Sequence, residues 1–259
     1  MKVKEIMTTE VIAVDKDVSL KRVLDLMKKH DITKIPVLEE KKFFGLVTDN
    51  VISYKLGSIR KRGITASRLH ASSVTEKKVT VISPEDEVKN ILKTVGEPGP
   101  TMLPVIEKQK LVGVVTKANL LPLVKSKNQL YSIMQRKVHT VNLEDRIIHA
   151  RRIMITENVA RLPVLNDKKL VGMISDIEIA FAFASLKKSI SLGKQKHRLD
   201  EMLVKDAMRT HIIWTTPSTT IFDAAQLMMK HNVGALPLLE KEKLVGMVSR
   251  TDLLKTIVL

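Results

Sequence analysis

Four prolines and four glycines stand at one fixed spacing, and that spacing restricts the fold more than any other feature of the chain. Pro36, Pro104, Pro163 and Pro237, in KIPVL, MLPVI, RLPVL and ALPLL, are each followed nine residues later by Gly45, Gly113, Gly172 or Gly246, in GLVT, GVVT, GMIS and GMVS. Nine residues before each proline lies an apolar residue, Met27, Val95, Met154 or Met228. Met7, Thr75, Met134 and Met208 each precede their proline by 29 residues. Four segments align without a gap, so one structural unit is written four times.

Each segment has the same local order. A short β-branched run (VIAV, VTVI, VHTV or HIIW) is followed by turn formers and then by apolar residues at helical spacing, as with Val23, Leu26 and Met27 in the first copy. Two short apolar strands joined by a charged turn come next, KIPVL-EEKK-FFGLVT in the first copy and RLPVL-NDKK-LVGMIS in the third. A last helix starts at the Thr or Ser that closes the second strand. The unit is β-α-β-β-α, which predicts an α+β fold with an α/β-like order of connections.

A unit of about 50 residues is at the lower edge of what can bury a core of its own, so the copies must pair. Basic connectors, SIRKRGITASRLH at 58–70 and KKSISLGKQKHR at 187–198, join copy one to two and three to four, whereas a shorter stretch around PLVKSKNQL joins two to three. This spacing predicts two pairs, residues 1–124 and 125–259, with repeats at 7–56, 74–123, 133–184 and 206–257.

Composition removes several function classes. With 44% hydrophobic but only 3% aromatic residues, the core is aliphatic and Met-rich. The lack of Cys excludes disulfides, thiolate catalysis and Cys-ligated zinc. His30 and His231 share one repeat position, which favours a helix-end role over ligation, and no H-E-x-x-H spacing or nucleophile elbow occurs, so neither a metal site nor an enzyme is expected. No apolar run reaches the roughly 18 residues that span a bilayer, and the N-terminus lacks a signal-peptide stretch; the expectation is a cytoplasmic protein without membrane insertion. The formal charge of +16 draws in anions without naming them.

The order of elements, with [LI]-P-[VL]-[LI] and G-h-h-[TS] before the last helix, resembles the CBS domain, named after cystathionine beta-synthase. The resemblance covers nearly the whole chain and implies four CBS repeats arranged as two tandem pairs, called Bateman modules, as in the gamma subunit of AMP-activated protein kinase and in stand-alone prokaryotic CBS proteins. It further implies a non-enzymatic regulator that binds an adenosine nucleotide (AMP, ADP or ATP) in the cleft between paired domains. The family pattern for contact is G-h-h-[TS]-x-x-D, in which the hydroxyl residue meets phosphate and the Asp takes the ribose hydroxyls. Such modules form flat discs within one chain or between two, so a homodimer is among the partners implied, beside a regulated protein.

The chemistry of that pattern is intelligible without the family. A helix start offers unpaired amides to phosphate, and a carboxylate accepts from neighbouring hydroxyls. The same spacing is also the capping box, in which both side chains satisfy the helix's own amides. Copy four has Ser249, Arg250 and Asp252, a full match with a cation beside it; copy two has Thr116, Lys117 and Asn119, with an amide for the carboxylate. Copy one has Thr48, Asp49 and Val51 and copy three has Ser175, Asp176 and Glu178, which place an acid where an anion would sit. The expectation is a nucleotide site on copy four, with Ser249 and Arg250 for phosphate and Asp252 for ribose, and a weaker site on Thr116, Lys117 and Asn119. By family analogy Thr210, Ile212, Ala235 and Leu236 form the base pocket. S-adenosylmethionine is an alternative ligand, since the pattern does not determine what hangs from the ribose. A nucleic-acid-binding or scaffold protein using the basic connectors is the alternative function, disfavoured by the scarcity of aromatics.

Overall fold

The computed structural model describes residues 1–57, 65–95, 102–189 and 201–257, so the basic connectors fall largely outside the described residues. In the first repeat β1 (Val14–Asp15) leads into α1 (Leu20–His30), the hairpin of β2 (Lys34–Glu39) and β3 (Lys42–Thr48), and α2 (Asp49–Gly57). The second has β4 (Thr75–Glu76), α3 (Val88–Val95), β5 (Met102–Glu107), β6 (Lys110–Thr116) and α4 (Lys117–Leu120). The third has β7 (Val141–Asn142), α5 (Ile147–Thr156), β8 (Arg161–Asn166), β9 (Lys169–Ser175) and α6 (Asp176–Ser189). In the second and fourth repeats the first strand shrinks to a bridge, Ile82 with Val105 and Thr215 with Leu238, β4 lying in the arm before it, and the fourth continues with α7 (Ile221–Lys230), β10 (Ala235–Glu240), β11 (Lys243–Ser249) and α8 (Arg250–Leu254). The architecture is the mixed α+β repeat that the periodicity predicts.

Local chemistry sets these limits. Ser19 caps α1 by accepting from the Arg22 amide at 3.3 Å, and Asp31 ends it in the left-handed conformation. Thr220 caps α7 through the Asp223 amide at 3.1 Å. Both helices bury one face, Leu20, Val23, Leu24 and Met27 in α1 and Ile221, Ala224, Ala225 and Met228 in α7. All four hairpins turn through two residues with positive φ, for example Glu40 and Lys41 or Lys241 and Glu242, the turn whose twist matches that of the flanking strands.

The repeats exchange their entering segments. Each chain half contains two repeats, and the arm leading into one lies on the last strand of the other: Thr8 pairs with Val114, Glu76 with Leu46, Gln135 with Met247 and Arg209 with Met173. This crossing explains the recurrent glycine. A β-carbon on Gly113 would stand 2.7 Å from the Met7 sulfur, one on Gly172 would stand 2.5 Å from the Met208 sulfur, and one on Gly45 would collide with the Glu76 carbonyl. The arms also supply amide partners before the helices, as where Leu20 N–H donates to Leu69 and Ile147 N–H to Met202.

Two compact units result. One, the even unit, holds Met1–Val11, Val79–Val138 and Ile213–Leu259, the bodies of repeats two and four with the arms of one and three. The other, the odd unit, holds Ile12–Lys78 and His139–Ile212, the bodies of one and three with the arms of two and four. Each has its own core: Leu103, Leu121, Leu130 and Leu236 lie in the even one and Leu20, Ile35, Leu162 and Phe183 in the odd one. Pairing thus gives two small repeats the shared interior that neither could enclose alone. Among the described residues no helix is long and apolar enough to cross a membrane.

Candidate functional site

In copy four the end of β11 and the start of α8 form a closed set of bonds. The Asp252 carboxylate accepts from the Ser249 amide at 2.7 Å and from the Ser249 hydroxyl at 2.6 Å, while the Asp252 amide donates to the Ser249 hydroxyl at 3.4 Å. This is a capping box, built where a short helix needs its first amides satisfied. Both side chains remain half-buried, and Ala235 stands opposite Ser249 in the β10–β11 register. Arg250 donates from Nε to the Val233 carbonyl at 3.1 Å and from Nη2 to Asn232 Oδ1 at 3.2 Å, so it braces the turn before β10.

Copy two repeats the arrangement with an amide. Asn119 Oδ1 accepts from the Thr116 amide and hydroxyl, each at 2.8 Å, and its Nδ2 donates to the Ile6 carbonyl at 3.0 Å and to Thr8 Oγ1 at 3.1 Å. Lys117 is buried, and its ammonium donates to Thr251 Oγ1 at 2.5 Å, joining α4 to α8.

Not every residue assigned to the copy-four pocket comes together. Ser249, Arg250, Asp252 and Ala235 do. Leu236 is fully buried with its side chain in the core, so only its backbone is available. Thr210 and Ile212 belong to the odd unit, where the neighbouring Arg209 pairs with Met173 of copy three. Grouping residues by repeat fails here because the arms cross. The segment that lies on β11 is the arm of repeat three, and its Gln135 Nε2 donates to both Asp252 oxygens, at 3.1 and 3.3 Å. Gln135 carries no motif signal; its equal distance from Met134 in the repeat register is the only clue that it could matter.

The odd unit has a different character. Glu178 caps Ser175 and accepts from Arg209 Nε, and the Arg209 guanidinium also lies 3.7 Å from Asp31. A cavity of about 410 Å³ opens beside them, between the end of α1 and the face of α6 that carries Ile177 and Phe181. Burial pushes the Asp176 carboxyl up to about 6, against a hydrogen bond from the Ser53 hydroxyl at 2.8 Å, with Asp49 adding repulsion and Arg151 attraction. Burial also lowers the pKa of Arg161, opposed by Asp49, Glu178 and Asp176 nearby.

The CBS domain model matches residues 3–55, 71–126, 130–185 and 204–259, all four repeats. The chain belongs to the CBS-domain family. Its four CBS repeats make up two Bateman modules. Protein MJ1404 of Methanocaldococcus jannaschii is 26% identical across 98% of this chain, which spans 61% of that relative's length. A CBS domain-containing protein of Dictyostelium discoideum is 32% identical over 49% of this chain and 88% of its own. Among solved structures, MJ1225 of M. jannaschii superposes with a TM-score of 0.84 at 18% identity, covering the whole of both chains, which shows the same fold.

Proposed function

We propose that this CBS protein is a non-enzymatic regulator that binds an adenosine nucleotide, AMP, ADP or ATP, on copy four, with a weaker site on copy two. MJ1225, described as a proposed archaeal homologue of g-AMPK, shares its fold over the full length and agrees with this reading. The observation that carries it is the convergence of Ser249, Ala235 and Asp252 at one strand-to-helix junction, where a carboxylate is met from outside by the exposed amide of Gln135. Asp252 would receive the ribose hydroxyls, Ser249 and the α8 amides would face phosphate, and Arg250 would reach phosphate by exchanging its bond to Asn232. The small side chain of Ala235 leaves room for the base, and Thr210 and Ile212 fall out of this pocket in favour of the Gln135 arm. S-adenosylmethionine satisfies the same ribose contacts.

The two modules are proposed to be residues 1–124 and 125–259, because the arm exchange runs within each half. Occupancy would act on a cytoplasmic partner protein or on a second copy of the chain, to the extent that the nucleotide binds one arrangement better than another. Calorimetry with AMP, ADP and ATP on wild type and Asp252→Ala tests the assignment; undiminished affinity in the variant removes it. Native mass spectrometry of the freshly purified protein reports the retained ligand and the oligomeric state together.

A further inference from the structure

We infer that the arm residue one past each anchor, Thr8, Glu76, Gln135 or Arg209, sets whether the repeat it crosses can release its acceptor to a ligand, and that Gln135 is the specificity-determining residue of copy four. The inference rests on copy four being the nucleotide site. At three crossings the arm side chain bonds to the helix residue three past the hydroxyl: Thr8 with Asn119, Gln135 with Asp252 and Arg209 with Glu178. At the fourth, that residue is Val51, and the arm carries Glu76. The arm residue matches the group it meets: a hydroxyl that accepts from the Asn119 amide, a neutral amide that donates to the half-buried Asp252 carboxylate, and a guanidinium that donates to the buried Glu178.

These latches differ in how easily they open. Glu178 has a side chain only 9% exposed, and withdrawing Arg209 would strand its charge in the interior. Gln135 is exposed and Asp252 is half-buried, so a sugar hydroxyl can replace the amide donor with little loss. Copy three is therefore held shut by its arm and copy four is held by a displaceable one. The Gln135 arm is the chain that enters repeat three, which makes the segment leading into one repeat the reporter of its neighbour's occupancy.

Titrating AMP and 2′,3′-dideoxyadenosine monophosphate into wild type, Gln135→Ala, Gln135→Arg and Asp252→Ala, with melting curves to confirm folding, tests this. Gln135→Ala is expected to tighten AMP about threefold to tenfold, since the competing donor is gone, and Gln135→Arg to weaken it at least about tenfold by an ion pair. The gain in Gln135→Ala should vanish with the dideoxy compound, which cannot use Asp252. AMP binding that needs Asp252 but ignores Gln135, or is weakened in Gln135→Ala, overturns the latch alone. Absence of AMP binding to wild type, or binding indifferent to Asp252, overturns the proposed site and the latch with it. Should Gln135→Arg fail to fold, the Gln135→Ala and dideoxy arms decide.

Discussion

The even and odd units share fold and arm crossings but reverse the order of their charges. Just past the hairpin hydroxyl the even unit has Lys117 and Arg250, and the odd unit has Asp49 and Asp176. At the first position of the preceding hairpin the trade runs the other way, with Met102 and Ala235 in the even unit and Lys34 and Arg161 in the odd. Lys34 lies 3.5 Å from Asp49, and Arg161 lies among Asp49, Asp176 and Glu178. The odd unit thus balances its acids with its own strand-end cations. In the even unit the bonds from Lys117 and Arg250 to Thr251, Val233 and Asn232 go to neutral oxygens. One backbone plan therefore supports junctions with opposite charge order, an acid after the hydroxyl in the odd unit and a cation there in the even unit.

The largest effect expected from breaking this contrast is in the odd unit. Arg161→Met gives β8 the apolar start that β5 has, but leaves three acids without their shared cation. Taking the cation from among three acids strands negative charge, where taking away one acid would relieve it, so a loss of about 3 kcal/mol, read as a fall in the chemical-denaturation midpoint with unchanged slope, is the expected result. A change below about 1 kcal/mol would show that the acids are neutralised elsewhere.

The recurrent glycines separate the two units by how tightly the arm is seated. A β-carbon at Gly45 meets the Glu76 backbone, which is fixed by strand pairing, whereas at Gly246 it meets the Gln135 carbonyl and the flexible Met134 sulfur, each at 3.1 Å. Gly45→Ala is expected to cost about 3 kcal/mol and Gly246→Ala about 1 kcal/mol. Thermal melts of both variants would show whether the arm on copy one is the more rigidly seated.

Much of this was legible in the sequence. The proline-to-glycine interval fixed four copies, their element order and the hairpin turns, because each depends on contacts between neighbours in the chain. The capping reading and the nucleotide reading of Ser249–Asp252 were both visible, and the box is formed. The arm crossing was not legible, because Gln135 and Asp252 are separated by 117 residues and neither periodicity nor propensity reports such a contact. For the same reason the repeat register groups Thr210 and Ile212 with copy four, whereas in the fold they lie in the odd unit. The neutralisation of Asp49 by Lys34 was hidden too, since a charge run read along the chain does not show which cation it meets across a hairpin.

Asp176 gives a pH test of the odd unit. Its carboxyl titrates at about 6, above the ordinary 3.8, because burial disfavours the charged form. Its contribution to stability is complete below the ordinary value and is lost as pH rises through about 6, where the folded protein must ionise a buried acid. Asp176→Asn keeps an oxygen for the Ser53 hydroxyl and removes that cost. The variant should be more stable than wild type by about 2 kcal/mol at pH 7.5, with the advantage shrinking towards pH 4. A pH-independent difference between the two melting profiles would contradict the assignment.

The smallest effect probes why the even unit is not symmetric. Lys117 of copy two reaches across to Thr251 of copy four, but the residue of copy two in register with Thr251 is Ala118, so Arg250 has no matching hydroxyl to meet and turns to its own repeat at Asn232 and Val233. Thr251→Val preserves the shape and removes the acceptor, leaving the buried ammonium short of one bond. A loss of about 1 kcal/mol is expected, restored in Thr251→Ser. Adding Ala118→Thr to wild type should draw no comparable gain if Arg250 is held by its own turn, and a gain equal to the Thr251 contribution would mean that the asymmetry resides in Ala118 alone.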